Sequence, residues 1–388
     1  MPITFVSFSV KEFRRMSIPT FSAGSRLMLI APHPDDEALA GGIILQRAAS
    51  AGAALRVVYA TDGDDNPWPQ RVLERKWHLN AADRKRWGKL RRVEALAALR
   101  VLGVNAFAAR FLALADQKLT HLLMHHCRST IEKIGAIISE WAPTHLLVPS
   151  LADTHPDHNA LGVMLRLVVA EFFPDELGMS IWSYAVHGRS SAFFQAAQTI
   201  PQSETERAIK LRAILCHKSQ IKLSRDRFLS YAARPERLLK VGAQEETVVN
   251  GPMRSILRQP CSLQIKFELS VKPMRRAEPA LFVLGQDKSG TLRCASMQLP
   301  VRSSRIEIFD SVTRRRLGVA RYRGNAFAGE LAIPTNVFSS AHVLFVKLER
   351  RSWFFDEAGW FEVPSTAHSE QVAAAKRDAL EELSSAVR

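Results

Sequence analysis

Arg26-Leu27-Met28-Leu29-Ile30-Ala31-Pro32-His33-Pro34-Asp35-Asp36-Glu37 runs from an apolar stretch straight into a turn of histidine, proline and carboxylates. Residues 26–31 read as a strand buried on both faces, because the apolar run does not alternate with polar positions. Helical spacing follows over Asp36–Ala51, and Ala53–Thr61 reads as a second strand. The alternation continues with a helix over Arg91–Leu102, a strand over Ala106–Leu114 and a helix through Leu119–Trp141. A strand over Thr144–Ser150, a helix over Asn159–Phe173 and a fifth strand near Ser180–Val186 complete it. Apolar strands alternating with helices specify a mostly parallel sheet covered on both sides. The expectation is an α/β, Rossmann-like three-layer domain over residues 26–239, preceded by an N-terminal extension of residues 1–25.

Beyond about Pro235 the pattern changes to period two. In Ser262–Lys272, Leu263, Ile265, Phe267, Leu269 and Val271 share one face, and Gln264, Lys266, Glu268, Ser270 and Lys272 the other. One polar face marks an antiparallel, half-exposed sheet. Similar runs recur at Ala280–Leu284, Arg305–Phe309, Ala341–Leu348 and Ser352–Val363, with turn residues between them. Residues 240–366 are expected to form a smaller antiparallel β-rich domain, sandwich-like or barrel-like. Residues 367–388 are expected to carry a C-terminal helix, over Ser369–Val387.

Composition narrows the class. Of 388 residues 47% are hydrophobic and 23% charged, which excludes a disordered or collagenous chain. Lys and Arg number 53 against 38 Asp and Glu, a formal charge of +15 that favours an anionic partner. Cys127, Cys216, Cys261 and Cys294 lie far apart with no C-x-x-C pair, so free thiols in a reducing compartment are expected. The N-terminus lacks the order of a secretory signal, and no window reaches the length of a spanning helix. A cytoplasmic location is expected, with any membrane contact peripheral.

Two polar turns carry the chemistry. His33 and Asp36 leave the carboxyl end of the first strand, and Asp153-Thr154-His155-Pro156-Asp157-His158 leaves the fourth. In a doubly wound sheet of order 3-2-1-4-5 these strands are neighbours, and the crevice opens between their carboxyl ends. His33, Asp36 and His158 then form a set of two imidazoles and one carboxylate suited to Zn2+, although ligand type alone admits another divalent metal. Asp35, in the same turn, is placed to take a proton from a metal-activated water. His155 is placed to serve a developing oxyanion, with Asp157 holding its imidazole. Taken singly, each turn also fits an ordinary cap or polar loop.

Pro32–Glu37 followed by Asp153–His158 resembles the PIG-L/LmbE family of zinc-dependent de-N-acetylases. Thr61-Asp62-Gly63, Arg91-Arg92-Val93-Glu94, Leu102-Gly103-Val104, Lys210 and His217-Lys218-Ser219-Gln220 also fit, so the resemblance spans roughly residues 26–235. It implies removal of an acetyl group from an N-acetylated amino sugar, glycolipid or other glycoconjugate. It also implies His33, Asp36 and His158 as metal ligands, Asp35 as general base, His155 as oxyanion-side acid and Asp157 as its partner. By the same resemblance Asp65 (with Asp64 beside it), Arg91 and Asp116 would hold substrate. Two other readings stay open: an amidase or deacylase acting on a non-sugar metabolite, and a non-catalytic module that binds anionic glycan or membrane.

A long polar stretch after the second strand carries Trp68, Trp77 and Trp87, and residues 71–92 hold nine Lys/Arg against two acids. Leaving the strand's carboxyl end, it should overhang the crevice. It reads either as a lid whose tryptophans meet sugar and whose cations meet phosphate or an anionic membrane over residues 68–92, or as a solvated helical insertion packed on the core. Nucleic acid is not expected, since no recognition motif accompanies the charge.

Overall fold

Burial of one strand on both faces organises the first domain. Leu27 to Ala31 of β1 (Arg26–Ala31) are essentially inaccessible, with parallel neighbours β2 (Ala54–Thr61) and β4 (His145–Pro149) on either side. The computed structural model describes residues 18–174, 178–188, 192–241, 253–259, 261–268, 279–325, 327–334, 336–338, 342–349 and 359–363. The helix expected over 369–387, and residues 1–17 of the extension, lie outside the described residues.

Helices α1 (Asp36–Leu39), α2 (Gly42–Ser50), α3 (Pro67–Glu74) and α4 (Ala81–Val101) alternate with β1, β2 and β3 (Ala109–Leu114). Then come α5 (Leu119–His125), α6 (Arg128–Trp141), β4, α7 (Pro156–Phe172), β5 (Ser180–Tyr184), α8 (Ala192–Ala196) and β6 (Gln198–Thr199). The domain closes with α9 (Glu204–Leu215), α10 (Lys218–Ala233) and β7 (Arg237–Lys240). The sheet order is β3-β2-β1-β4-β5-β7-β6, so the expected 3-2-1-4-5 core is extended by two short strands, β7 antiparallel to β5 and β6 antiparallel to β7.

Local differences from the sequence expectation have physical causes. The helix expected over 36–51 breaks at Ala40–Gly41, because a Cβ on Gly41 would lie 2.4 Å from the Leu29 side chain. Glu236 then caps α2 from outside, accepting from the N–H groups of Ile43 and Ile44 at 2.8 and 3.3 Å while pairing with buried Lys210 at 2.8 Å. The helix expected over 119–141 is two, parted at His126–Cys127. Pro156, tolerated at a first helical position, starts α7 three residues earlier than expected. That shift puts Asp157 and His158 in the first turn of a helix rather than in a loop.

Residues 253–363 form β8 (Met253–Arg258), β9 (Ser262–Glu268), β10 (Ala280–Gln286), β11 (Leu292–Gln298), β12 (Ser304–Asp310), β13 (Arg316–Gly324), β14 (Ala328–Pro334), β15 (Leu344–Glu349) and β16 (Phe361–Glu362). All pair antiparallel in a single sheet, β16-β15-β10-β11-β12-β13-β14-β9-β8. The expected sandwich is therefore one curled sheet. Its inner core joins Ile265 and Phe267 of β9 to Val346 and Leu348 of β15, near the opposite edge. Alternation reveals that one face is buried, but not whether the strands belong to one sheet or two.

The outer face of this sheet packs on the first domain. Leu284, Cys294, Phe345 and Trp360 share a buried cluster with Leu123, Ile131 and Met164 of the α/β domain. The Trp360 N–H donates to the Leu151 carbonyl at 3.4 Å, two residues before Asp153. Gly359 has φ +63°, and a Cβ there would lie 2.7 Å from that same carbonyl, so the close approach requires glycine. The four cysteines named above are free thiols. Among the described residues no helix is long and apolar enough to cross a membrane. Phe345→Ala should cost about 3–5 kcal/mol by emptying the contact between the sheets; urea unfolding checks this, and a loss below about 1 kcal/mol would mean the two domains do not pack there.

Candidate metal centre

The strand order brings the two polar turns together at the carboxyl ends of β1 and β4, where the crevice of an open α/β sheet lies. His33 Nδ1 is 3.3 Å from His158 Nε2 and 3.5 Å from Asp36 Oδ2, and His158 Nε2 is 3.4 Å from Asp36 Oδ2. Three donors at the corners of a tetrahedron about 2.1 Å from its centre would stand about 3.4 Å apart. The three edges match that figure, and the donor set is the one expected from sequence.

Neighbouring groups hold all three side chains in place. The His158 Nδ1 lies 3.1 Å from Asp153 Oδ2, which also accepts from the N–H of Val186 at 2.8 Å. His33 turns its Nε2 to Asp116 Oδ1 at 3.2 Å and Asp157 Oδ2 at 3.3 Å. Asp36 Oδ2 accepts from the His33 N–H at 2.9 Å. These carboxylates fix which nitrogen of each ring faces the centre. They also set the field. Burial disfavours charge on His33, but Asp116, Asp157 and Asp36 outweigh it and raise its proton affinity well above the ordinary value. His158 is likewise buried, and Asp36 and Asp153 raise its affinity. Burial would raise Asp36, yet His158 and His33 hold its carboxyl well below the usual range. A pocket that attracts protons to two imidazoles attracts a cation, and ligation displaces those protons.

Asp35 sits at the lip with φ 134°, a conformation rare for residues other than glycine. Its N–H donates to Glu37 Oε2 at 2.9 Å, and Glu37 Oε1 meets His217 Nε2 at 2.8 Å. Burial pushes the Asp35 carboxyl up to about 6, against the opposing pull of Arg91. His155 is the N-cap of α7, its Nδ1 accepting from the Asp157 N–H at 3.2 Å. Burial, then the neighbouring His158, His33 and His187, lower its proton affinity well below the ordinary value.

Four of the expected residues have partners that the sequence did not name. Asp157 does not orient His155 through its carboxylate hydrogen bonds, which go to the N–H groups of Gln117 (2.7 Å) and Leu119 (3.0 Å) and to His33; its backbone amide sets the His155 tautomer instead. Arg91, expected to hold substrate, is 4% exposed and donates to Gly63 O, Pro34 O and Asp35 Oδ2 at 2.8, 2.6 and 3.0 Å. It braces the Asp35 turn and also lines the cavity. Asp116 lines the cavity but is committed to His33 and to the Asp65 N–H at 2.7 Å. Asp65 pairs with Arg84, while Asp64 is half-buried and raised by that burial and by Asp116. The motif residues Glu94 and Ser219 bond each other at 2.6 and 2.8 Å, tying α4 to α10.

Sequence reasoning gave no role to Asp153, Glu37, His217 or His187. His187 follows β5, the next strand along the same crevice, so the rule that located His33 and His158 would have found it. Its ring centroid lies 5.1 Å from that of His158, and burial lowers it to about 4. Among the described residues, three further sets overlapping this triad have donor atoms within 4.8 Å of one another: His33, His155 and His158; Asp153, His158 and His187; His33, Asp116 and Asp157. The cavity over them, about 530 Å³, is walled by His155, His187, Trp68, Gln117, Arg227 and Tyr231.

Residues 28–169 match the family described as PIG-L: GlcNAc-PI de-N-acetylase. This segment is similar to the PIG-L family. The chain is 34% identical over 147 residues to 1D-myo-inositol 2-acetamido-2-deoxy-alpha-D-glucopyranoside deacetylases of Mycobacterium bovis and Mycobacterium tuberculosis. The match covers 34% of this chain and 47% of each relative, so the chain spans about half the length of the curated relatives it matches. Among solved structures, the N,N'-diacetylchitobiose deacetylase of Pyrococcus horikoshii is 21% identical, covering 56% of this chain and 83% of that one with a TM-score of 0.44. A deacetylase of the teicoplanin biosynthesis pathway is 20% identical, covering 56% and 100%, with a TM-score of 0.44. The 4-carboxy-2-hydroxymuconate hydratase GalB of Pseudomonas putida KT2440 is 17% identical, covering 56% and 96%, also at 0.44. Within this segment, Asp153→Ala should weaken divalent-metal affinity about 10–100-fold while the fold persists; metal titration with a competing chelator checks this, and unchanged affinity would remove Asp153 as the support of His158.

Proposed function

We propose that the α/β domain is a metal-dependent N-deacetylase that hydrolyses the acetamide of an amino sugar or of a glycolipid carrying one, with zinc as the working ion. The observation that carries the reading is the triad of His33 Nδ1, Asp36 Oδ2 and His158 Nε2 at 3.3–3.5 Å from one another, with the carboxyl of Asp35 in the same turn. The names of the mycobacterial relatives support the sugar amide as substrate class.

His33, Asp36 and His158 would hold the ion. When bound, it supplies Lewis acidity, bringing a water's pKa towards neutrality and polarising an amide carbonyl. Asp35, raised to about 6, would take a proton from the attacking water near pH 7 and later deliver it to the departing amine. The amide C–N bond breaks, a C–O bond forms, and acetate and a free amine result. His155, whose Nδ1 accepts from the Asp157 N–H, would carry its proton on Nε2 and donate it towards the carbonyl oxygen as negative charge develops. Arg91 keeps the Asp35 carboxylate aimed, and the strained backbone at Asp35 is paid for by the Glu37–His217 pair beneath it.

Asp35→Asn should keep stoichiometric metal and lose turnover by 10²-fold or more, about the scale of a general base. Acetate release from a panel of N-acetylhexosamine conjugates, with metal analysis of the same sample, checks both halves. An active variant would remove Asp35 as the base. His33→Ala and His158→Ala should each lose metal and activity together, and full metal occupancy in either would contradict the ligand set.

A further inference from the structure

Helix α3 closes against its neighbours on one side only. Gln70 is fully buried and donates to the Asp83 carbonyl of α4 at 2.8 Å and to Glu74 at 3.1 Å. Across the helix gap, Arg86 pairs with Glu74, and Lys76 pairs with Asp83 at 2.6 Å. Arg75 ends the helix in the left-handed region, its N–H returned to the Arg71 carbonyl. The element is therefore fixed in place, and what it exposes is held exposed.

Its outward stripe is Trp68, Arg71, Val72 and Arg75, at i, i+3, i+4 and i+7, which share one face of a helix. Trp68 is 58% exposed and Val72 52%, and Trp77, two residues beyond Arg75, is 74% exposed. The Arg71 guanidinium stacks over the Trp68 ring at 5.1 Å. Lys76, Arg84 and Arg86 are engaged by carboxylates, whereas among the described residues Arg71 and Arg75 have no carboxylate partner. An apolar ridge bordered by unpaired cations complements a bilayer interface, where tryptophan sits at headgroup depth and arginine meets phosphate. Bases and soluble polyanions would leave Val72 and neighbouring Leu73 without a counterpart. Trp68, with Asn66 and Pro67, also walls the mouth of the metal cavity.

We propose that the outward face of α3, with Trp77, docks on an anionic lipid surface and turns the cavity mouth towards the headgroups. The contact is separate from the chemistry, so it stands or falls without a turnover assay. The full chain should co-sediment with vesicles of equal parts phosphatidylglycerol and phosphatidylcholine at about 0.05 M salt, and much less with phosphatidylcholine alone. Brominated acyl chains should quench its tryptophan emission. Trp68→Ser with Trp77→Ser should cut partitioning at least about tenfold, and Arg71→Gln with Arg75→Gln about fivefold per charge, with an unchanged melting temperature. Trp77→Ser alone should leave hydrolysis of a water-soluble amide as it was. Absence of vesicle binding overturns the proposal, as does binding untouched by the tryptophan substitutions. Retention on soluble polyphosphate that both pairs of substitutions weaken equally would assign the face to a polyanion and overturn it too.

Discussion

Three donor atoms from two distant turns, each within 3.5 Å of the others, are the constraint around which the first domain is arranged. Two imidazoles and a carboxylate do not crowd together without compensation. Desolvation opposes charge on all three; Asp36 and the surrounding Asp116, Asp153 and Asp157 offset it for the two rings, and the rings offset it for Asp36. Sites of this kind keep a cation-shaped centre. The strand order then does the geometric work, because adjacent β1 and β4 deliver both turns to one crevice although more than a hundred residues separate them.

Much of what surrounds the centre is bracing. Arg91 ties the Asp35 turn to Gly63, and its guanidinium fills the space where a Cβ on Gly63 would sit, only 1.7 Å from Nη1. Glu37 with His217, Glu94 with Ser219 and Lys210 with Glu236 join α1, α4, α9 and α10 through buried charged contacts. The second sheet adds support at Leu151, where Gly359 and Trp360 press on the loop leading to Asp153. Removing one partner of such a buried pair leaves an uncompensated group, so these positions are sensitive without touching substrate.

The sequence made legible the features that depend on chain order and residue type. Unbroken apolar strands placed His33 and His158 at strand ends, and doubly wound topology placed those ends side by side. What it did not disclose depends on three-dimensional partnership. Asp153 and Asp157 are both carboxylates in one motif, yet only backbone geometry decides that the first serves His158 and the second His33. Arg91 and Asp116 both line the cavity, and the structure adds partners that residue type did not reveal, Asp35 for the one and His33 for the other. In the second domain, period-two alternation identified the inward positions of β9, while the pairing of β9 with β8 and β14 was set by contacts far apart in sequence.

Anomalous diffraction at the zinc edge, from crystals of the full chain grown with zinc, bears most directly on the centre. The account predicts a single strong peak about 2.0–2.2 Å from His33 Nδ1, His158 Nε2 and Asp36 Oδ2. A peak instead among Asp153, His158 and His187, or among His33, Asp116 and Asp157, would contradict it, because the groups here described as supports would then be the ligands.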